Sequence, residues 1–408
     1  MYTKYILIIC CFLIAISSNA QTLQDYLSIA EKNNLELKAI QYRYESTLEK
    51  MNEVGSLPNT TIGAGYFVQE AETRVGAQKA KLSISQMVPW FGTLAAKEES
   101  TLFKAKAQSN TIDFTKRKLF LDVKTSYFEL FELKVTKNII NENLEILKTF
   151  EKLALNELEN NRSTMVDVLK IRMDKNEIEN NLNTVIENFK ATQIAFNLML
   201  NRDENMVVNV LDSMSIQING ELFKKELILN NPKLLQLENL KNSLKKSELA
   251  AKKEGVPLIG IGLDYVFVEN RAVENLLDNG KDIVMPMVTI SVPLFSKKYS
   301  SKQKQLQLEQ KAIETTKINT TNQLYTIFEI AVRKMANAKV SIDTQIENIR
   351  EADRAKKVLL EAYQTSKIDF EQLLEIQQLN LKFQLKKMVS EKEYAIQRST
   401  LEFLTKEN

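Results

Sequence analysis

Apolar residues recur along this chain at two spacings, and stretches of one alternate with stretches of the other. Over long segments they fall three, four and seven apart, as at Leu130, Leu133, Ile140, Leu144, Leu147, Ala154 and Leu158. The same rhythm returns at Ala338, Ile342, Ile349, Ala352, Leu359 and Tyr363. This heptad stripe predicts helices packed along their whole length. Phe131, Ile139, Ile146 and Ile346 lie beside the stripes, and a helix with two apolar flanks needs two neighbours. A ring of helices meets that need better than a two-stranded coil. Over four short runs the period drops to two, which predicts half-buried β-strands. The runs are Ile62, Ala64, Tyr66, Val68; Ala80, Leu82, Ile84; Ile259, Ile261, Leu263, Tyr265, Phe267; and Val284, Val288, Ile290, Val292. Each is close to the roughly 9–11 residues that a tilted membrane strand needs.

The two halves of the chain repeat one layout. Asn33-Asn34 matches Asn230-Asn231, Pro58 matches Pro257, and Val88-Pro89 matches Val292-Pro293. A near-constant offset is the signature of a tandem duplication. The first repeat, 21–200, is expected to hold an opening helix, a β-hairpin over 60–89, a long helix over 94–160 and a return helix over 165–200. A short linker over 201–220 leads to the second repeat, 221–404, with a hairpin over 257–293, a long helix over 297–364 and a return helix over 368–404. Residues 94–159 contain neither glycine nor proline, so one helix of about 100 Å fits there. Polar breaks at 159–164 and 364–367 end the long helices, and Ser163 or Thr164 is suited to cap the first return helix.

Composition removes most chemistry. Lys4, the apolar stretch 5–16 and the small residues Ser18-Asn19-Ala20 read as a secretory signal peptide over 1–20, leaving Gln21 as the first mature residue. Both cysteines, Cys10 and Cys11, fall inside it, and Ile9 stands where lipid attachment at Cys10 wants a small residue. The mature chain then has no thiol, and the sequence has no histidine, the commonest acid–base residue and metal ligand. Aspartates and glutamates follow helix-surface spacing rather than converging, so an enzyme is not expected, and neither is a cofactor. Methionines such as Met285 and Met287 are too scattered for a soft-metal site. A net charge of +3 with interspersed Lys and Glu describes solvated helix faces and not a nucleic-acid binder. After the signal no apolar run is long enough for a spanning helix, so any entry into a membrane must be by strands.

Strand parity then assigns faces. Ile62, Tyr66, Leu82, Ile84, Leu263, Tyr265 and Ile290 are expected to face lipid, with Ser83 and other small residues inward. Four strands cannot close a barrel, and an open edge in lipid leaves backbone groups unpaired. Two chains would supply eight strands and three would supply twelve. Glycines and small hydroxyls on the inward face favour an open lumen, and therefore three.

The order helix, hairpin, long helix, tight break and return helix, given twice, resembles the TolC family of outer-membrane efflux channels, in particular short members from Bacteroidetes-like bacteria. The resemblance runs over about 22–404 and is carried by SQMVPWFG (85–92), its echo near 290–298, STMVDVLK, DFEQLLEIQ and ETRVG (72–76). It implies a mainly α fold with β: duplicated helical hairpins that form a trimeric α-barrel tunnel, and a shared 12-stranded transmembrane β-barrel with four strands from each chain. It implies a homotrimer in outer-membrane lipid that works with a periplasmic adaptor (membrane fusion) protein and an inner-membrane pump. It further implies an acidic periplasmic gate, for which Asp167, Asp369, Glu371 and Glu375 stand at matching positions. Arg162, Lys170, Arg172 and Lys367 are the nearby candidate latches, and Asn160, Asn161, Ser163, Thr365 and Ser366 the candidate adaptor-docking tips. A secreted trimeric coiled-coil scaffold or adhesin without a pore is the alternative, and it leaves the paired strands without purpose.

Overall fold

The computed structural model describes residues 22–160, 162–211, 223–273, 275–294, 297–364 and 370–406. The signal peptide over 1–20 with Cys10 and Cys11, Gln21, Asn161, Thr365, Ser366, Lys367, Asp369 and the linker beyond 211 lie outside the described residues. The elements in order are α1 (Leu23–Asn33), α2 (Leu35–Gly55), β1 (Thr61–Thr73), β2 (Gly76–Val88), α3 (Thr93–Glu159), α4 (Met165–Met199), a 3-10 turn (Lys225–Asn230), α5 (Pro232–Glu254), β3 (Leu258–Glu269), β4 (Ile283–Ser291), α6 (Lys298–Gln364) and α7 (Phe370–Thr405). They fall into two compact units, one drawn from 39–113 and 232–321, the other from 1–38, 114–231 and 322–408, so that α3 and α6 contribute to both.

The first of these units holds a single antiparallel sheet in the order β1-β2-β3-β4. The β1–β2 hairpin turns tightly at Gly76, whose φ of +140° is open to glycine and strained for other residues. A Cβ there would also lie 1.8 Å from the Glu269 carbonyl oxygen of β3. Both β1 and β2 run to 13 residues, beyond their apolar stretches, because ladder hydrogen bonds do not depend on side-chain polarity. The register shifts between Gln78 and Ala80, leaving Lys79 as the additional residue, and its ammonium pairs with both Glu70 and Glu269. Beside α5, small residues permit close helix approach: the Ser100 hydroxyl lies 2.6 Å from that of Ser247 and donates to the Ser243 carbonyl at 2.9 Å. Flanking ion pairs hold α5 to α3 through Lys246–Glu99 (2.5 Å) and to α6 through Lys317–Glu238 (2.9 Å).

The other unit contains α1, α4, α7 and the distal parts of α3 and α6. Thr22 and Asp25 form a capping box that starts α1. The opening helix is in fact two: Asn34 adopts an extended conformation, and its Oδ1 accepts from the Leu37 amide at 2.8 Å to begin α2. Tyr26, Tyr127 and Phe196 are almost fully buried, with Tyr26 and Phe196 edge to face at 5.1 Å. The Asn209 amide donates to the Tyr26 hydroxyl at 2.9 Å and Leu211 to that of Tyr127 at 3.3 Å. The segment 206–211 is thereby fastened to the helices.

Where α3 turns into α4 and α6 into α7, a second core forms from Leu147, Phe150, Ala154, Val168, Ile171, Tyr363, Phe370, Leu373 and Leu374. Phe370 is its centre, perpendicular to Phe150 at 5.6 Å and close to edge-on to Tyr363 at 5.3 Å. Phe150→Ala should therefore cost about 3–5 kcal/mol locally. Hydrogen exchange should show the loss of protection confined to the amides around 147–174 and 370–377.

Candidate functional site: a charged helical tip and a one-sided sheet

The tip is built from its caps outward. Thr164 adopts an extended conformation and its hydroxyl accepts from the Asp167 amide, while the Asp167 carboxylate accepts from the Thr164 amide at 2.9 Å. Ser163 donates to the same carboxylate at 3.1 Å. Partial burial raises the Asp167 pKa, but the bonds from Thr164 and Ser163 outweigh it and hold the group below the ordinary aspartate value. Its charge is thus committed to starting α4.

Other charged side chains of the tip pair across helices. Lys170 on α4 donates to Glu371 on α7 at 2.7 Å, joining the two repeats, and that bond together with Glu371, Asp167 and Glu375 raises the lysine pKa. Glu375 lies one turn from Glu371, and both are exposed. Asp174, one turn beyond Lys170, accepts from Gln378 at 2.6 Å. Arg172 pairs with Glu151 on α3 at 2.7 Å, and Lys175 reaches the other oxygen of the same carboxylate at 2.9 Å. Arg162 stands 3.9 Å from Glu157, and the Asn160 side-chain Nδ2 donates to the Asn156 carbonyl at 2.8 Å. A cleft of about 440 Å³ opens between α4 and α7, with Leu147, Ile178 and Leu381 as apolar lining and Asp174, Gln377 and Lys382 as polar lining.

The sheet separates its residues by face. Ladder partners share a side, and the register sets Ile62 opposite Ile84, Ile84 opposite Leu263, Leu82 opposite Tyr265, and Ile259 opposite Ile290. Ile62, Tyr66, Leu82, Ile84, Leu263, Tyr265 and Ile290 consequently lie on one face, and all are exposed. The other face carries Thr61, Gly63, Ser83, Ser85, Gly262 and Met287. Its charged element is Lys81 against a fully buried Asp264, a contact at ion-pair distance that is not aligned as a hydrogen bond.

No protein-family model matches the sequence, and comparison with curated proteins gives no match. Solved structures do match. CusC, studied for its folding and transmembrane channel formation, aligns over 94% of this chain and 91% of its own, with TM-score 0.77 and 13% identity. The outer membrane protein VceC from Vibrio cholerae aligns over 94% and 95%, with TM-score 0.75 and 12% identity. The Campylobacter jejuni CmeC outer membrane channel aligns over 94% and 85%, with TM-score 0.75 and 14% identity. This chain has the TolC-like channel fold.

Within that TolC-like fold, Lys170 and Glu371, separate candidates in the sequence, are in contact. Glu151, which holds two cations, is not among the sequence candidates. A signal was present: Glu151 and Arg172 stand nearly equally far from the polar break, and antiparallel helices joined by a short turn bring such positions together. Hydrogen bonds from Lys175 and then Arg172 lower the Glu151 pKa below its reference of 4.5. A carboxylate with a depressed folded-state pKa stabilises above the unfolded value and loses that contribution as pH falls through the folded one. Tip protection in the wild type should therefore exceed that of Glu151→Gln at neutral pH and converge with it as pH falls below about 4.5. Comparing the two proteins by hydrogen exchange at each pH cancels the intrinsic pH dependence of exchange.

Proposed function

We propose that this chain is the outer-membrane component of an efflux or export system, a passive conduit formed by three copies. The observation that carries this reading is the four-stranded sheet with one predominantly apolar, exposed face and with β1 and β4 unpaired on their outer edges among the described residues. Three copies joined edge to edge close twelve strands and satisfy every backbone group, as hydrocarbon requires. The likeness to CusC, VceC and CmeC supports the same placement. Glycine, serine and threonine on the other face leave a barrel of that size open to water. The repeats of about 21–200 and 221–404 are the duplicated helical hairpins of a periplasmic tunnel, and the helical tips are where an adaptor, itself serving an inner-membrane pump, engages it. Asn160 and Ser163 are then docking residues, with Asn161 beside them in sequence and Thr365 and Ser366 as their counterparts in the second polar break. No catalytic step is assigned, since the pump supplies the energy. A pore-free scaffold would leave the apolar sheet face uncovered.

In this reading Glu371 and Glu375, with Asp369 next to them in sequence, ring the periplasmic mouth in three copies, and Lys170 latches Glu371 within each copy. Arg162 and Arg172, which pair with Glu157 and Glu151 on α3, are the further candidate latches, together with Lys367 by its place in the sequence. A carboxylate ring at a constriction concentrates cations. Two tests follow from the geometry. Leu82→Arg, on the apolar face, should cost about 2–4 kcal/mol near the bilayer midplane and block assembly of heat-modifiable trimers, whereas Ser83→Arg, opposite Asp264, should assemble normally. Equal tolerance would remove the barrel from that hairpin. Glu371→Gln combined with Glu375→Gln should leave trimers intact and reduce cation preference in single-channel recordings. Unchanged selectivity would mean that the constriction lies elsewhere.

A further inference from the structure

Several lysines along the helices of the sheet-bearing unit have acidic partners: Lys97 meets Glu254, Lys241 meets Glu314, Lys246 meets Glu99 and Lys317 meets Glu238. The corner between β4 and α6 departs from this. Residues 297–304 read KKYSSKQK, four lysines with no acidic residue among them. Among the described residues no carboxylate pairs with Lys297, Lys302 or Lys304, and Lys302 reaches only the Gln305 amide oxygen at 3.2 Å. Tyr299 packs against Gly255, which brings Lys252 and Lys253 at the end of α5 to the same corner. Lys253 donates to the Phe91 carbonyl at 2.8 Å, and so ties in the β2–α3 corner as well.

An apolar rim adjoins these cations. Phe91 is 78% exposed and Leu294 69%, with Trp90 and Val292 beside them. The rim continues directly into the apolar face of the sheet, whose last pairs at this end include Ile259 with Ile290. Ammonium groups without carboxylate partners, next to aromatic and aliphatic side chains that run on into a lipid-compatible face, match one chemistry: a phosphate-bearing headgroup with its acyl chains alongside. Nucleic acid or an acidic protein would use the lysines and leave the rim uncovered.

We propose that this strand-to-helix corner binds the headgroups of anionic phospholipids in the leaflet nearest the helices, an inference that rests on the membrane placement of the sheet. Lysine is suited to the role because its compact ammonium meets phosphate from any direction as a point charge. The test reconstitutes the full chain in vesicles of phosphatidylcholine, alone and with phosphatidylglycerol, and identifies by mass spectrometry the lipids retained after stepwise delipidation. Wild type should retain phosphatidylglycerol over phosphatidylcholine several-fold. K297Q/K302Q/K304Q should assemble equally well and lose that preference, while K297R/K302R/K304R should keep it. An inserted wild type without preference, or a glutamine variant that keeps it, overturns the proposal and leaves the channel reading standing. Failure to insert into any vesicle overturns both.

Discussion

The antiparallel pairing of β2 with β3 is the constraint on which the architecture rests. The other ladders join strands of one hairpin, whereas this one sets Val88 opposite Ile259 and Leu82 opposite Tyr265, residues from different repeats. Because side chains alternate at every residue, a slip of one position would turn the apolar set of one hairpin against the polar set of the other. The bulge at Lys79 shows how that register is held at the far end, where one ammonium bridges acidic residues on β1 and β3. Small residues make the pairing possible, since a Cβ on Gly260 would sit 2.6 Å from the Met87 sulfur and one on Gly262 3.1 Å from the Ile84 carbonyl oxygen.

At the tip, apolar contact and charge divide the work. Phe370 and its ring partners provide the burial, and the ionic contacts surround it at partly or fully exposed positions where each isolated pair contributes little. Their value is positional. Glu151 fixes α4 against α3 within one repeat, whereas Lys170–Glu371 and Asp174–Gln378 cross to α7 in the other. Relative movement of α4 and α7 would break the crossing contacts and leave the Glu151 pair whole. The two kinds of contact therefore separate motion within a helical hairpin from motion between hairpins.

Much of this was legible in the sequence because its periods are clean. Alternation at two identifies the strands and the common face of Ile62, Leu82, Leu263 and Ile290, and the heptads identify buried positions such as Leu147, Ala154 and Ile342. Thr164 was readable as a cap, being a hydroxyl residue directly before the apolar period resumes. Other features escaped for definable reasons. The polar extension of β1 through Gln69–Thr73 has no apolar alternation to announce it. The break at Asn34 depends on one side-chain hydrogen bond. Among the tip charges, residue type marks Glu371, Glu375 and Lys170 as charged and exposed, but the choice of partner depends on how α4 meets α7, which no local pattern encodes.

The two hairpin turns at the end of the sheet opposite the helices are stapled together. Gly280 donates its amide to the Val75 carbonyl at 2.7 Å, and Arg271 grips Glu72 at 2.6 Å. Asn279 exchanges side-chain hydrogen bonds with the Arg271 backbone in the same cluster. The surface presented there is consequently discontinuous in sequence, combining residues near 72–75 with residues near 270–280. An antibody raised against the folded protein at this end would recognise both turns at once, and a linear peptide copied from either turn alone would compete poorly for it.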